Sequence, residues 1–163
     1  MFTGRATSAE TMLIEGRDEQ RPDPVWSAAE APMAEERPRA AASPRILLVE
    51  DDFLVGMEME TGLQEAGYEV AGIAATAEEA VELAAERRPA LVVMDIRLAG
   101  ERDGVDAALE IYRTLGIRSI FASAHGDSRT RARAEPARPL GWVAKPYRVD
   151  TLLKAIEEAL RAL

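Results

Sequence analysis

The arrangement of this sequence predicts a doubly wound α/β domain, and three observations predict it. From Arg45 onward, short apolar runs alternate with amphipathic stretches, and the pair recurs five times before Leu163. Runs such as Ile46-Leu47-Leu48-Val49 and Leu91-Val92-Val93-Met94 are continuously apolar, as strands covered on both faces must be. The stretches between them carry apolar residues at helical spacing, and strands alternating with helices call for a parallel sheet with helical crossovers.

Each element can be placed in order. Ile46–Val49 forms the first strand, and the helix after it holds Val55, Met59 and Leu63 on one face and stops at Gly67. Tyr68–Ala75 reads as the second strand. Thr76 followed by Glu79 predicts a capping box opening a helix with Ala80, Val81 and Ala84 inside, closed by Pro89. Leu91–Met94 is the third strand and ends at Asp95; Ala107, Ala108, Ile111 and Leu115 mark a helix ended by Gly116. Ser119–Ala122 is the fourth strand. The following segment, Asp127–Ala134, has room for about two helical turns before Pro136 and Pro139 limit it. Gly141–Ala144 is the fifth strand, and Asp150 is expected to cap a last helix with Leu152, Leu153, Ile156 and Leu160 inward. Right-handed crossovers give a flavodoxin-like five-stranded sheet of order 2-1-3-4-5 with five helices, its switch point between strands one and three.

Residues 1–44 differ in texture. Proline stands at 22, 24, 32, 38 and 44 among many Ala, Glu and Arg, with no sustained apolar period, which predicts a disordered leader ahead of a domain at 45–163. Val25, Trp26, Ala29 and Met33 leave room in it for a short partner-binding helix. The leader has no signal-peptide core and the chain no membrane-length apolar stretch, so a cytoplasmic protein is expected. The absence of cysteine excludes disulfides, zinc-thiolate sites and thiol catalysis. A net charge of -9 argues against a direct grip on nucleic acid.

In the expected topology Glu50, Asp51 and Asp52 follow strand one, Asp95 ends strand three, Ser123 ends strand four and Lys145 ends strand five. All converge on one sheet edge. Clustered carboxylates repel, so the group needs a cation at neutral pH, and hard oxygen donors select Mg²⁺, Mn²⁺ or Ca²⁺. Metal, lysine and hydroxyl together form a phosphoryl-binding set, with a carboxylate as nucleophile. Of 20 basic residues only Lys145 and Lys154 are lysine, so a compact ammonium ahead of Pro146 is a separate signal. The one histidine, His125, reads as a loop residue with no chemical role.

These residues resemble the receiver domains of two-component response regulators. The matching pieces are Ile46-Leu47-Leu48-Val49-Glu50-Asp51-Asp52, Val93-Met94-Asp95, Phe121-Ala122-Ser123-Ala124 and Val143-Ala144-Lys145-Pro146-Tyr147, and they run in order through 45–163. The resemblance implies that a histidine kinase or phosphotransfer protein phosphorylates Asp95. It also implies that Glu50, Asp51, Asp95 and the backbone carbonyl of Arg97 hold Mg²⁺, that Lys145 binds a phosphate oxygen, and that Ser123 is the switch hydroxyl. Asp52, one place beyond the acidic pair, is expected to be solvated or to cap a helix. Trp142 stands where the family has a smaller switch aromatic. The protein is then no separate enzyme but a regulator catalysing its own phosphorylation and dephosphorylation. It would have no output domain and an unknown protein target, with room for a homodimer through the last helix and strand.

Three features depart from the family pattern: the segment 96–104 lacks a proline, Trp142 is bulky, and the fourth helix is short and set among Arg129, Arg131, Arg133 and Arg138. A solvated arginine face is expected there. Two other functions compete. A degenerate receiver would bind a partner constitutively. An aspartyl-phosphate phosphohydrolase would need a second aspartate two places after the nucleophile, where Arg97 stands.

Overall fold

Five parallel strands lie in the order β2-β1-β3-β4-β5 in a computed structural model that describes residues 43–124 and 127–163. The strands are β1 Arg45–Val49, β2 Glu69–Ala74, β3 Leu91–Asp95, β4 Ser119–Ser123 and β5 Gly141–Ala144. The helices are α1 Phe53–Glu65, α2 Ala77–Arg87, α3 Gly104–Leu115, α4 Ser128–Ala134 and α5 Val149–Arg161, with a 3-10 turn at Glu135–Ala137. His125 and all but the last two residues of the expected leader, with its candidate helix at 25–36, lie outside the described residues. Among the described residues no helix is long and apolar enough to cross a membrane.

The continuous apolar strands divide their side chains between two cores. Ile46, Leu48, Val93, Ile120 and Val143 face one side, where Met59 and Leu63 of α1 and Leu152 and Ile156 of α5 cover them. Leu47, Val49, Val92, Met94 and Phe121 face the other and meet Ala80 and Ala84 of α2 and Ala107, Ala108 and Ile111 of α3. Side chains on a strand alternate between faces, so one run supplies both cores. Alanine dominates the inner faces of α2 and α3, and so short a side chain lets these helices lie close to the sheet.

Helix ends agree with the sequence in part. Asp52 caps α1, accepting from the amides of Leu54 at 2.9 Å and Val55 at 3.2 Å. Thr76 caps α2 as expected, accepting from the Glu79 amide, but the Glu79 carboxylate accepts from Ala75 rather than from Thr76, so the box is displaced by one residue. Asp150 is not a cap. Helix α5 starts at Val149 with Arg148 in the capping position and no side-chain cap, which puts Asp150 in the first turn, where a carboxylate still suits the helix dipole. Helix α3 starts earlier than its apolar residues suggested: Asp103 and Asp106 form a complete capping box around Gly104.

Candidate functional site

The parallel ladder delivers the chemistry to one edge. Glu50 continues β1, its amide donating to Ala74 at 2.9 Å, and Lys145 continues β5, its amide donating to Ser123 at 2.9 Å. Asp95 is the last residue of β3 and Ser123 the last of β4, and both are buried. Across this edge the Lys145 ammonium donates to Glu50 Oε2 and to Asp95 Oδ2, each at 2.6 Å. The Arg97 amide donates to the second oxygen, Asp95 Oδ1, at 3.2 Å. The peptide bond between Lys145 and Pro146 is cis.

Carboxylate oxygens of Glu50, Asp51 and Asp95 all come within 4.8 Å of one another. Asp52, expected at the same edge, turns to α1 and stays out of the group. One ammonium thus faces three carboxylates. Burial pushes the Glu50 carboxyl above its ordinary pKa; the Lys145 hydrogen bond opposes this, and the Asp95 charge adds to the rise. Burial works against the Lys145 charge too, but hydrogen bonds to Asp95 and Glu50 outweigh it and hold the ammonium above its usual range. Both values rise, with opposite consequences for charge: the ammonium is favoured by the cluster, whereas the Glu50 carboxylate is left short of positive charge. A divalent cation with oxygen ligands would supply that charge, and three converging carboxylate oxygens are the donor set Mg²⁺ accepts.

A cavity of ≈ 390 Å³ lies over the phosphoacceptor candidate, with Asp51, Asp95, Arg97, Ser123 and Lys145 on its wall. The sequence reading grouped these residues. It did not find Asp127 and Thr130, which close the same cavity from the start of α4. Nor did it find Gly104: a Cβ there would sit 1.8 Å from the Asp95 carbonyl oxygen, so α3 can start against the phosphoacceptor only because residue 104 has no side chain. The sequence Asp103-Gly104 with Asp106 following carries the signal for both the cap and the close approach.

Trp142 lies away from the cavity wall. Its ring stacks on Phe121, its register partner on β4, with centroids 4.7 Å apart, and the Arg131 guanidinium covers it at 4.6 Å. The indole is clamped between a ring and a cation, which favours fixed packing over an inward swing. The arginine face is exposed as expected, with Arg129, Arg131, Arg133 and Arg138 all on the surface. Two of these exposed side chains are nonetheless engaged, Arg131 over Trp142 and Arg133 with Asp103 and Asp106 at the start of α3.

Comparison with known proteins points to one family. Residues 46–157 match the family model described as the response regulator receiver domain. The transcriptional regulatory protein PdtaR of Mycobacterium tuberculosis is 37% identical over 121 residues, covering 74% of this chain and 58% of that protein. The phyllosphere-induced regulator PhyR of Methylorubrum extorquens is 36% identical over 117 residues, 71% of this chain and 43% of the relative. The chain thus spans less than two thirds of these relatives. It covers 95% of the chemotaxis protein CheY of Thermotoga maritima at 33% identity, and 70% of its own length is aligned. Among solved structures, the signal receiver domain of a modulated diguanylate cyclase from Desulfovibrio desulfuricans superposes with a TM-score of 0.68 at 36% identity, over 74% of this chain and 95% of that one. Family model, curated relatives and solved structures agree over the segment that carries the acidic edge and its lysine, and the chain belongs to the response regulator receiver domain family.

Proposed function

We propose that this chain is a phosphoacceptor of a two-component phosphorelay, in which Asp95 takes the phosphoryl group from a phosphohistidine of a histidine kinase or phosphotransfer protein. The observation that carries the reading is the placement of Asp95: buried at a strand end, with one oxygen on Lys145 and the other on a backbone amide, in the wall of an open cavity. An Asp95 oxygen attacks phosphorus, the P–N bond breaks, and the imidazole leaves with the electron pair. Such a transfer has a loose transition state, so positioning and charge neutralisation suffice and no general base is required.

Glu50, Asp51, Asp95 and the Arg97 carbonyl are the groups that would hold Mg²⁺. Bound there, such an ion would supply positive charge to offset that of the phosphoryl oxygens. Lys145 exchanges its bond to Asp95 for one to a phosphate oxygen, and the Ser123 hydroxyl, at the end of the neighbouring strand, closes on another. The product carries about -1.5 to -2 charges, and these new contacts supply the energy difference that shifts the domain between two states. The domain thereby catalyses its own phosphorylation and dephosphorylation rather than turning over a separate substrate. A constitutive binding module is the second reading, and the clamped Trp142 is what favours it.

Intact mass after incubation with Mg²⁺ and acetyl phosphate tests the first reading. One added phosphoryl group is expected, absent from Asp95→Asn and from a chelated sample; no addition together with no Mg²⁺ binding would favour the module. Mg²⁺ without a donor should raise the melting temperature, because it relieves the charge deficit at Glu50, and Asp51→Asn should remove most of that rise.

A further inference from the structure

The segment from Ile96 to Asp103 joins the phosphoacceptor to α3. It has no proline to stiffen it, and Gly100, at φ 105°, turns it in a region that other residues rarely adopt. The Gly104 amide donates to the Ile96 carbonyl at 2.9 Å, which closes the base and leaves 97–103 as an excursion beside the acidic edge. Arg97 starts that excursion. Its amide donates to Asp95 Oδ1 at 3.2 Å, it lines the cavity over Asp95, and its carbonyl is the main-chain ligand proposed above for Mg²⁺.

Side-chain and cross-segment contacts must fix what the backbone leaves free. On the outgoing arm, Ile96 and Leu98 pack on the core under α2 and α3, and the Ala99 amide donates to the Ala75 carbonyl at 3.3 Å. The displaced capping box belongs to this contact: Glu79 accepts from the Ala75 amide at 2.8 Å and so holds Ala75 in place to receive Ala99. The Ala99 bond is long and Ala99 is exposed, so water competes for it and by itself it holds the arm weakly. Beyond the Gly100 turn, the returning arm is fastened by Arg102. One terminal nitrogen of its guanidinium meets Glu110 of α3 at 2.6 Å, and the other meets Glu78 of α2 at 3.7 Å. A single fork thus ties the excursion to both helices.

We infer that Arg102 is a positioning residue of the metal site: by fastening the excursion to α2 and α3 it holds the Arg97 carbonyl at the acidic edge, and so sets affinity for Mg²⁺ and preference for it over Ca²⁺. The inference rests on the Mg²⁺ site proposed above, and Arg102 itself touches none of the ligands. Its sign separates it from a charge effect. Removing a cation would, on charge alone, strengthen the binding of any divalent ion to nearby carboxylates, whereas loss of positioning weakens it. Ion size gives a second signature. Mg²⁺ demands a near-ideal octahedron at short distances and Ca²⁺ accepts flexible sets of oxygens, so a loosened carbonyl disfavours Mg²⁺ more.

Calorimetric titration of the whole chain with Mg²⁺ and with Ca²⁺ reads the site, and hydrogen exchange of the 97–103 amides without metal reads the fastening. Arg102→Gln should bind Mg²⁺ about tenfold more weakly than the wild type, the lower end of what outer partners of metal ligands contribute. It should lose less for Ca²⁺ and exchange the Ala99 amide severalfold faster. Arg102→Lys, which keeps the charge and can keep the pair with Glu110, should stay near the wild type. Glu110→Gln, which breaks the shorter pair from the other side, should repeat the Mg²⁺ loss and the smaller Ca²⁺ loss, and it carries the test if Arg102→Gln does not fold. Mg²⁺ affinity in Arg102→Gln equal to or above that of the wild type would overturn the inference, as would equal losses for the two ions or unchanged exchange at Ala99. A wild type that binds no Mg²⁺ would overturn the metal reading and the inference with it; failure in the variant alone overturns only the role of Arg102.

Discussion

Helices α3 and α4 are neighbours that leave the sheet beside the same cavity, one after Asp95 and the other after Ser123, and they are built on opposite plans. Helix α3 has twelve residues, a reciprocal capping box, a glycine C-cap at φ 72° and five buried positions. Helix α4 has seven residues and one buried position, and beyond its Asp127 cap it relies on arginines that reach other elements. Burial stabilises by area and is lost only when the core opens, whereas exposed ion pairs are worth about 1 kcal/mol or less and can be exchanged one at a time. The difference separates a fixed support behind Asp95 from a cavity wall, at Asp127 and Thr130, that is held by weaker contacts.

The comparison breaks most severely at Gly104. Gly104→Ala places a methyl group 1.8 Å from the Asp95 carbonyl, so the start of α3 must retreat. A loss of about 3 kcal/mol in denaturant unfolding is expected, with phosphoryl uptake at Asp95 reduced alongside. A variant as stable and as readily phosphorylated as the wild type would show that α3 is not a fixed support of Asp95.

Asp103→Ala acts on both helices, removing the cap of α3 and the anchor of Arg133. About 1.5 kcal/mol of global stability should be lost, together with protection of α4 amides. Acid should do the same to the wild type. Burial works to raise the Asp103 pKa, but the Arg133 guanidinium and the amides of Asp106 and Val105 outweigh it and hold the carboxyl below its ordinary value. A carboxyl with a lowered pKa contributes stability that is complete above its unfolded value, near 3.9, and is lost as pH falls through the lower folded value. The stability lost below about pH 4 should thus be smaller in Asp103→Ala than in the wild type.

The smallest effect is expected at Asp127, whose carboxylate accepts from the Thr130 amide at 2.8 Å and hydroxyl at 3.2 Å. Asp127→Ala should leave the global unfolding midpoint within error while α4 amides exchange severalfold faster. A shifted midpoint would mean that α4 is part of the cooperative core after all.

Most of the fold was legible because buried strands leave continuous apolar runs that nothing else in a chain this polar imitates. The set Glu50, Asp51, Asp95, Ser123 and Lys145 was legible for a related reason: each stands at or just past the end of such a run, and a parallel sheet brings those ends together. Partners that depend on tertiary contact were not. Arg133 meets Asp103 across 30 residues, and Arg131 covers an indole on another strand, so both read as members of a solvated face. The cap of α5 was misplaced because Asp150 is the stronger capping residue type by itself, yet the helix starts one residue before it at Val149. For Asp103 and Gly104 the local signal was present, but in a segment that reads as irregular loop.

The two bonds of Lys145 also set the order in which the protein becomes competent. They join residues 95 and 50 positions apart in sequence, so the site closes long loops rather than forming from local contacts. Contacts of that span are made after the intervening chain has collapsed. A polypeptide emerging from the ribosome would hold Glu50, Asp51 and Asp95 for some fifty residues of synthesis before the ammonium that pairs with Glu50 and Asp95 appears. Phosphorylation at Asp95 would then report that the fifth strand has docked, and a chain that stops short of it would stay silent to its donor.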